Sequence, residues 1–80
     1  DFLKHLQNEW NIKDINHIKP GIGESTRVLL RRVPYAIILQ DLNSIEIEHL
    51  LLLAKEKDVR VVEDKTLPYK GLAVIKDVIH

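Results

Sequence analysis

The 80-residue sequence contains no cysteine and no methionine. Without thiols it holds no disulfide, no thiolate nucleophile and no Cys-based zinc or iron-sulfur site, and cysteine usage leaves the redox compartment unconstrained. Neither charge sign is in excess: twelve Lys and Arg balance twelve Asp and Glu. Such neutrality does not advertise a nucleic-acid binder, although it permits a local basic face. Long apolar runs are also lacking. The longest, Leu50-Leu51-Leu52-Leu53-Ala54, falls far short of the roughly 20 residues that span a bilayer, and no segment resembles a signal peptide, so membrane insertion is excluded and a cytoplasmic location is expected. A chain of this length buries only about 60% of its unfolded surface, which argues against a deep cofactor cavity and for one core. Residues 1–80 are expected to form a single domain, and a start at Asp1 rather than Met suggests truncation at the N-terminus.

Glycine and proline are few, three of each, and they punctuate an alternation of helical and extended patterns. Phe2, Leu3, Leu6 and Trp10 recur at helical spacing. Ile15 to Lys19 reads as a short strand before the turn at Pro20, Gly21, Ile22 and Gly23. A helix is predicted over residues 24–33, with Val28, Leu29 and Val33 as its packing stripe, Glu24 at its positive end and Arg31 and Arg32 at the other. Residues 35–39 suit a central strand buried on both faces. Asn43 and Glu46 have capping-box spacing, and Ile47, Leu50, Leu51 and Ala54 form the stripe of a helix over residues 44–57. Short strands are predicted at residues 59–62 and, in an edge position, at 72–75, while Val78 and Ile79 are ambiguous. Strand, helix and strand imply a right-handed parallel crossover. The expected class is α/β, a small three-layer α-β-α sandwich with a mixed sheet of three to four strands.

The segment that carries chemistry is Gly21-Ile22-Gly23-Glu24-Ser25-Thr26-Arg27, where a loop becomes a helix. Free backbone N–H groups and the positive end of the helix dipole converge there and suit a phosphate. Ser25 and Thr26 add hydroxyl donors, and Arg27 and Arg31, four residues apart, share a helix face. Neither common nucleotide fingerprint is present: the third spaced glycine of Gly-x-Gly-x-x-Gly is missing, and no Gly-Lys-Ser/Thr follows.

These residues resemble the loop that begins a helix in the ribosomal L7Ae/L30e family of small RNA-binding domains, which approximates Gly-x-Asn-Glu-x-Thr-Lys. The similarity continues through Arg31, the strand from Ala36 to Leu39, Asp41 and the helix from His49 to Lys57, and spans roughly residues 13–75. Gly23 stands at the Asn position. The resemblance implies noncatalytic binding of structured RNA: Gly21 gives close backbone access, Glu24 reads a base edge, Arg27 touches phosphate, and the loop bearing Lys65, Thr66, Leu67 and Lys70 supports the same surface; Arg31, by its spacing from Arg27, is expected to neutralise RNA backbone charge along the same helix face. It also implies a ribosomal or translation-associated ribonucleoprotein setting with possible protein partners. No cofactor and no metal are expected.

Other readings of the residues stay open. A structural or protein-interaction domain that has lost RNA binding fits the neutral composition and Gly23, and a small nucleotide or phospho-ligand module fits the helix start. Residues 1–40 carry six basic and four acidic side chains against six and eight in residues 41–80, so any positive surface is local. Trp10 and Tyr35 read as core or near-core, and Tyr69 as loop packing rather than a stacking platform. His5, His17, His49 and His80 have no metal-ligand spacing, and His49 reads as a hydrogen-bonded boundary residue. Ser25, His49 and Asp41 are the residue types of a hydrolytic triad, but Ser25 lacks the nucleophile elbow. Asp41 reads as a cap, and Glu63 with Asp64 as a solvated turn.

Overall fold

The computed structural model describes residues 2–75. Its regular elements are α1 (Phe2–Glu9), β1 (Ile18–Pro20), α2 (Ile22–Arg31), β2 (Ala36–Leu39), α3 (Glu48–Glu56), β3 (Arg60–Glu63) and β4 (Gly71–Val74), with 3-10 turns at Ile15–His17 and Ile45–Ile47. The sheet runs β1-β4-β2-β3. β2 pairs in parallel with β3, and β4 lies antiparallel between β1 and β2. β1, β2 and β3 therefore point the same way, and their carboxyl ends form one end of the sheet.

Side chains alternate across the strands, and the two faces build two cores. Ile37, Leu39 and Ala73 pack with Val28 and Leu29 of α2 and Leu50 and Ala54 of α3. Ile38, Leu72 and Val74 pack on the opposite face with Leu6 of α1, Ile12, Ile18 and Leu67. The connections β1-α2-β2 and β2-α3-β3 step in one direction along the sheet. A common crossover hand therefore places α2 and α3 on the same face and leaves the other to α1. The result is the expected three-layer sandwich, with a four-stranded mixed sheet.

Several local expectations need correction. The strand at residues 72–75 begins at Gly71 and is interior rather than an edge, because its four residues are all buried and Leu72, Ala73 and Val74 pair on both sides. The region expected as a strand over residues 15–19 is split: Asp14 caps a 3-10 turn by accepting the Asn16 N–H, and only Ile18–Pro20 pairs with β4. α2 starts two residues early, at Ile22, and ends at Arg31 before the stretch leading to Pro34. The helix expected over residues 44–57 opens as a 3-10 turn, since Ser44 rather than Asn43 caps Glu46. The Asn43 N–H instead goes to the Asp41 carboxylate, so the Asn43-Glu46 capping box does not form. Tyr35 is 42% exposed, with its ring edge-to-face against Trp10 at 6.1 Å. Val78 and Ile79 lie outside the described residues.

Candidate nucleic-acid interface

The carboxyl end of the parallel strands gathers the β1-α2 junction, the β2-α3 connection and the β3-β4 loop, the place where open α/β sheets present ligand sites. Gly21 fixes the first of these. Its φ of 103° and ψ of 148° lie where side-chain-bearing residues are strained, and its N–H donates to the Gly71 carbonyl at 2.7 Å. That bond ties the start of α2 to the start of β4. Ser25 N–H is the first to find an intrahelical acceptor, Gly21 O at 3.0 Å. The N–H groups of Ile22, Gly23 and Glu24 are left facing outward at the positive end of the dipole.

The hydroxyls next to them are not available as donors to a ligand, contrary to expectation. Ser25 is fully buried and donates to Gly21 O at 2.8 Å, and Thr26 donates to Ile22 O at 2.8 Å. Both follow the i to i−4 back-bonding open to Ser and Thr inside a helix. With its proton committed, Thr26 Oγ1 accepts from His49 Nε2 at 2.9 Å, which sets the His49 tautomer and links α2 to α3. His49 is thus a hydrogen-bonded linker, and the Ser25, His49 and Asp41 triad is not assembled: Ser25 and Asp41 each hold other partners. No group of three or more potential metal ligands occurs among the described residues.

Glu24 and Arg27 pair across one helical turn at 3.4 Å, with both side chains largely exposed. Arg31 lies one turn further along the same helix, exposed and without an ion pair among the described residues. The lysines of the β3-β4 loop are already engaged. Lys70 Nζ is 2.6 Å from Glu46 Oε2, and Lys65 lies 3.7 Å from Asp41 and 3.6 Å from Glu63. Exposed pairs of this kind contribute about 0–1 kcal/mol, so an arriving phosphate can compete for them.

The β3-β4 loop is held from inside. Leu67, expected to support the ligand surface, is 1% exposed and sits in the α1-side core. Gln40 Nε2 donates to Leu67 O at 2.8 Å, and Gln40 N–H reaches Lys70 O at 3.2 Å. Sequence reasoning gave Gln40 no part in the site; its place directly after the buried run was the available signal. Asp64 accepts from the Thr66 hydroxyl at 2.6 Å and the Thr66 N–H at 2.9 Å. These bonds favour the ionised form, the hydroxyl contribution being the larger, and hold the Asp64 carboxyl below its ordinary value of 3.8. Glu63, expected with Asp64 as a solvated turn, instead ends β3 and accepts the Leu42 N–H at 3.0 Å, while Asp64 holds the turn through Thr66. Tyr69 is half-buried against the α1-side core, as loop packing requires.

An exposed helix start flanked by arginines thus lies beside a braced loop at one end of the α/β/α sandwich. The sequence matches the PELOTA RNA binding domain family over residues 1–77, and the chain belongs to that family. The family shown is therefore the Pelota-type domain, with the sandwich that the L7Ae/L30e resemblance led us to expect. The chain is also similar to the cysteine protease StiP of Acinetobacter baylyi, 39% identical over 74 residues. That alignment covers 89% of this chain and 19% of the protease, so the chain spans about a fifth of the relative's length. These 80 residues hold no cysteine and thus no thiol nucleophile. No helix among the described residues is long and apolar enough to cross a membrane.

Proposed function

We propose that the chain binds kinked or looped RNA, as L7Ae/L30e domains do, through the junction at residues 21–27. The observation that carries this reading is the set of unpaired amides at Ile22, Gly23 and Glu24 beside Arg27, in a member of an RNA-binding family. The backbone approaches closely at Gly21, and the Glu24 carboxylate accepts from a base edge. Arg27 and Arg31 take phosphates, and Lys65 and Lys70 exchange their carboxylate partners for phosphate from the facing loop. The setting is a cytoplasmic ribonucleoprotein, such as a translation-associated assembly, with residues 1–80 acting as one RNA-binding unit of a longer protein.

Arg27→Ala tests this reading. Binding to a kinked stem-loop RNA weakens across sequences, and the salt slope of the affinity falls by about 1, with the unfolding midpoint unchanged. Failure of the unmodified chain to bind any kinked or looped RNA at low salt contradicts it. Protein contact is a second reading, favoured by Leu42 and by Ile45, which is 81% exposed at the same end of the sheet. A patch of this kind suits a protein neighbour in the same assembly.

A further inference from the structure

A cluster of cations lies on the flank of the molecule, beside the β1 edge of the sheet. β1 is an edge strand, and Ile18 turns into the α1-side core. The alternation along the strand therefore sends Lys19 toward α2, and His17, at the end of the preceding 3-10 turn, lines the same side. A concavity of about 350 Å3 opens between this edge and the helix, lined by both of them together with Arg27, Arg31, Arg32 and Asp14. Lys19, Arg31 and Arg32 have no ion pair among the described residues. Asp14 is the one carboxylate lining it among the described residues, and its Oδ1 is engaged by the Asn16 N–H at 2.9 Å. Cations crowded into one concavity repel each other, and an anion placed among them relieves that repulsion.

We propose that this concavity is a second phosphate-binding site, which holds the RNA backbone after the strand has passed the start of α2. The inference rests on the RNA-binding reading and extends its footprint from the loop end down the β1-α2 flank. Arg27 is common to both sites. From it the path runs to Arg31 one turn on and to Arg32 at the helix end, with Lys19 on the strand opposite. Guanidinium forks match phosphate oxygens two at a time, and the lysine adds a point charge. The contacts are to backbone, so the flank adds affinity and orientation without reading sequence.

The test is the salt dependence of binding to a kinked stem-loop RNA by the 80-residue chain, for the unmodified protein and three variants. Lys19→Ala with Arg32→Ala lowers the salt slope by about 2 and weakens binding at low salt. Arg60→Ala removes one charge from the opposite sheet edge, where β3 lies, and leaves the slope unchanged. Lys19→Arg with Arg32→Lys keeps both charges and keeps the slope, which separates loss of phosphate contact from loss of fold. Equal slopes for the unmodified chain and the double alanine variant overturn the flank site and leave the loop-end reading standing. Absence of RNA binding by the unmodified chain overturns the loop-end reading and the flank site with it.

Discussion

At Gly23 the sequence departs from the L7Ae/L30e loop pattern, and the local geometry shows what the departure costs. The residue occupies the first turn of α2, is exposed, and a Cβ built on it meets nothing within 4 Å. Gly23→Asn therefore fits without clash, and its effect on stability stays within about 0.5 kcal/mol in thermal unfolding. An added amide at this position supplies one further hydrogen bond to RNA, worth about two- to tenfold in affinity. Unchanged affinity in a binding titration contradicts the placement of RNA over the helix start. Gly21, two residues earlier, is constrained by its backbone: its positive φ, rather than crowding, is what a side chain would strain.

The loops at the carboxyl end of the sheet act as small elements with their own electrostatics. Glu46 holds Lys70 across the gap between the β2-α3 connection and the β3-β4 loop. Glu46→Gln releases that lysine and removes a repelling carboxylate. RNA affinity at low salt rises by up to about fivefold, while stability falls by no more than about 1 kcal/mol. A drop in affinity in the same titration contradicts the role given to Lys70. Within the loop, Asp64 is kept ionised by Thr66. Its folded pKa lies below the unfolded value, so the turn is stabilised above the ordinary carboxylate range, and that contribution is lost as pH falls through the lower, folded value. Thr66→Ala deletes the hydroxyl bond and leaves the backbone one, so the Asp64 titration followed by NMR moves part of the way back up. A titration identical to that of the unmodified chain shows that the hydroxyl does not hold the carboxylate.

Elements whose signals are local were legible in the sequence. Ala36 to Leu39 form an unbroken apolar run because both sides of the sheet are covered, and the stripe of Leu50 and Ala54 marks the buried side of α3. The start of α2 was misplaced because Gly21 caps it through a backbone angle and offers no side-chain cap. The 3-10 turn after Ser44 was missed because Asp41, two residues before Asn43, takes the Asn43 N–H. Other features depend on partners distant in sequence. Nothing near residue 71 reveals that β4 slots between β1 and β2. Similarly, the partners of Lys65 and Lys70 emerge only when three loops meet.

Over the whole molecule, zero net charge conceals a separation of charge. The loop end carries Glu24, Asp41, Glu46, Glu63 and Asp64 around its two engaged lysines, whereas the flank between β1 and α2 collects Lys19, Arg31 and Arg32, to which no carboxylate among the described residues is paired. Arg27 lies where the two regions meet. In the proposed footprint a polyanion is drawn first to the flank and α2, and Lys65 and Lys70 join it as phosphate displaces their carboxylates. Amide-resolved NMR titration with a diverse pool of structured RNAs, repeated at high salt, tests the central claim most directly. The account predicts salt-sensitive shifts concentrated at residues 21–27 and 65–70; shifts absent from residues 21–27, or unchanged at high salt, would contradict it.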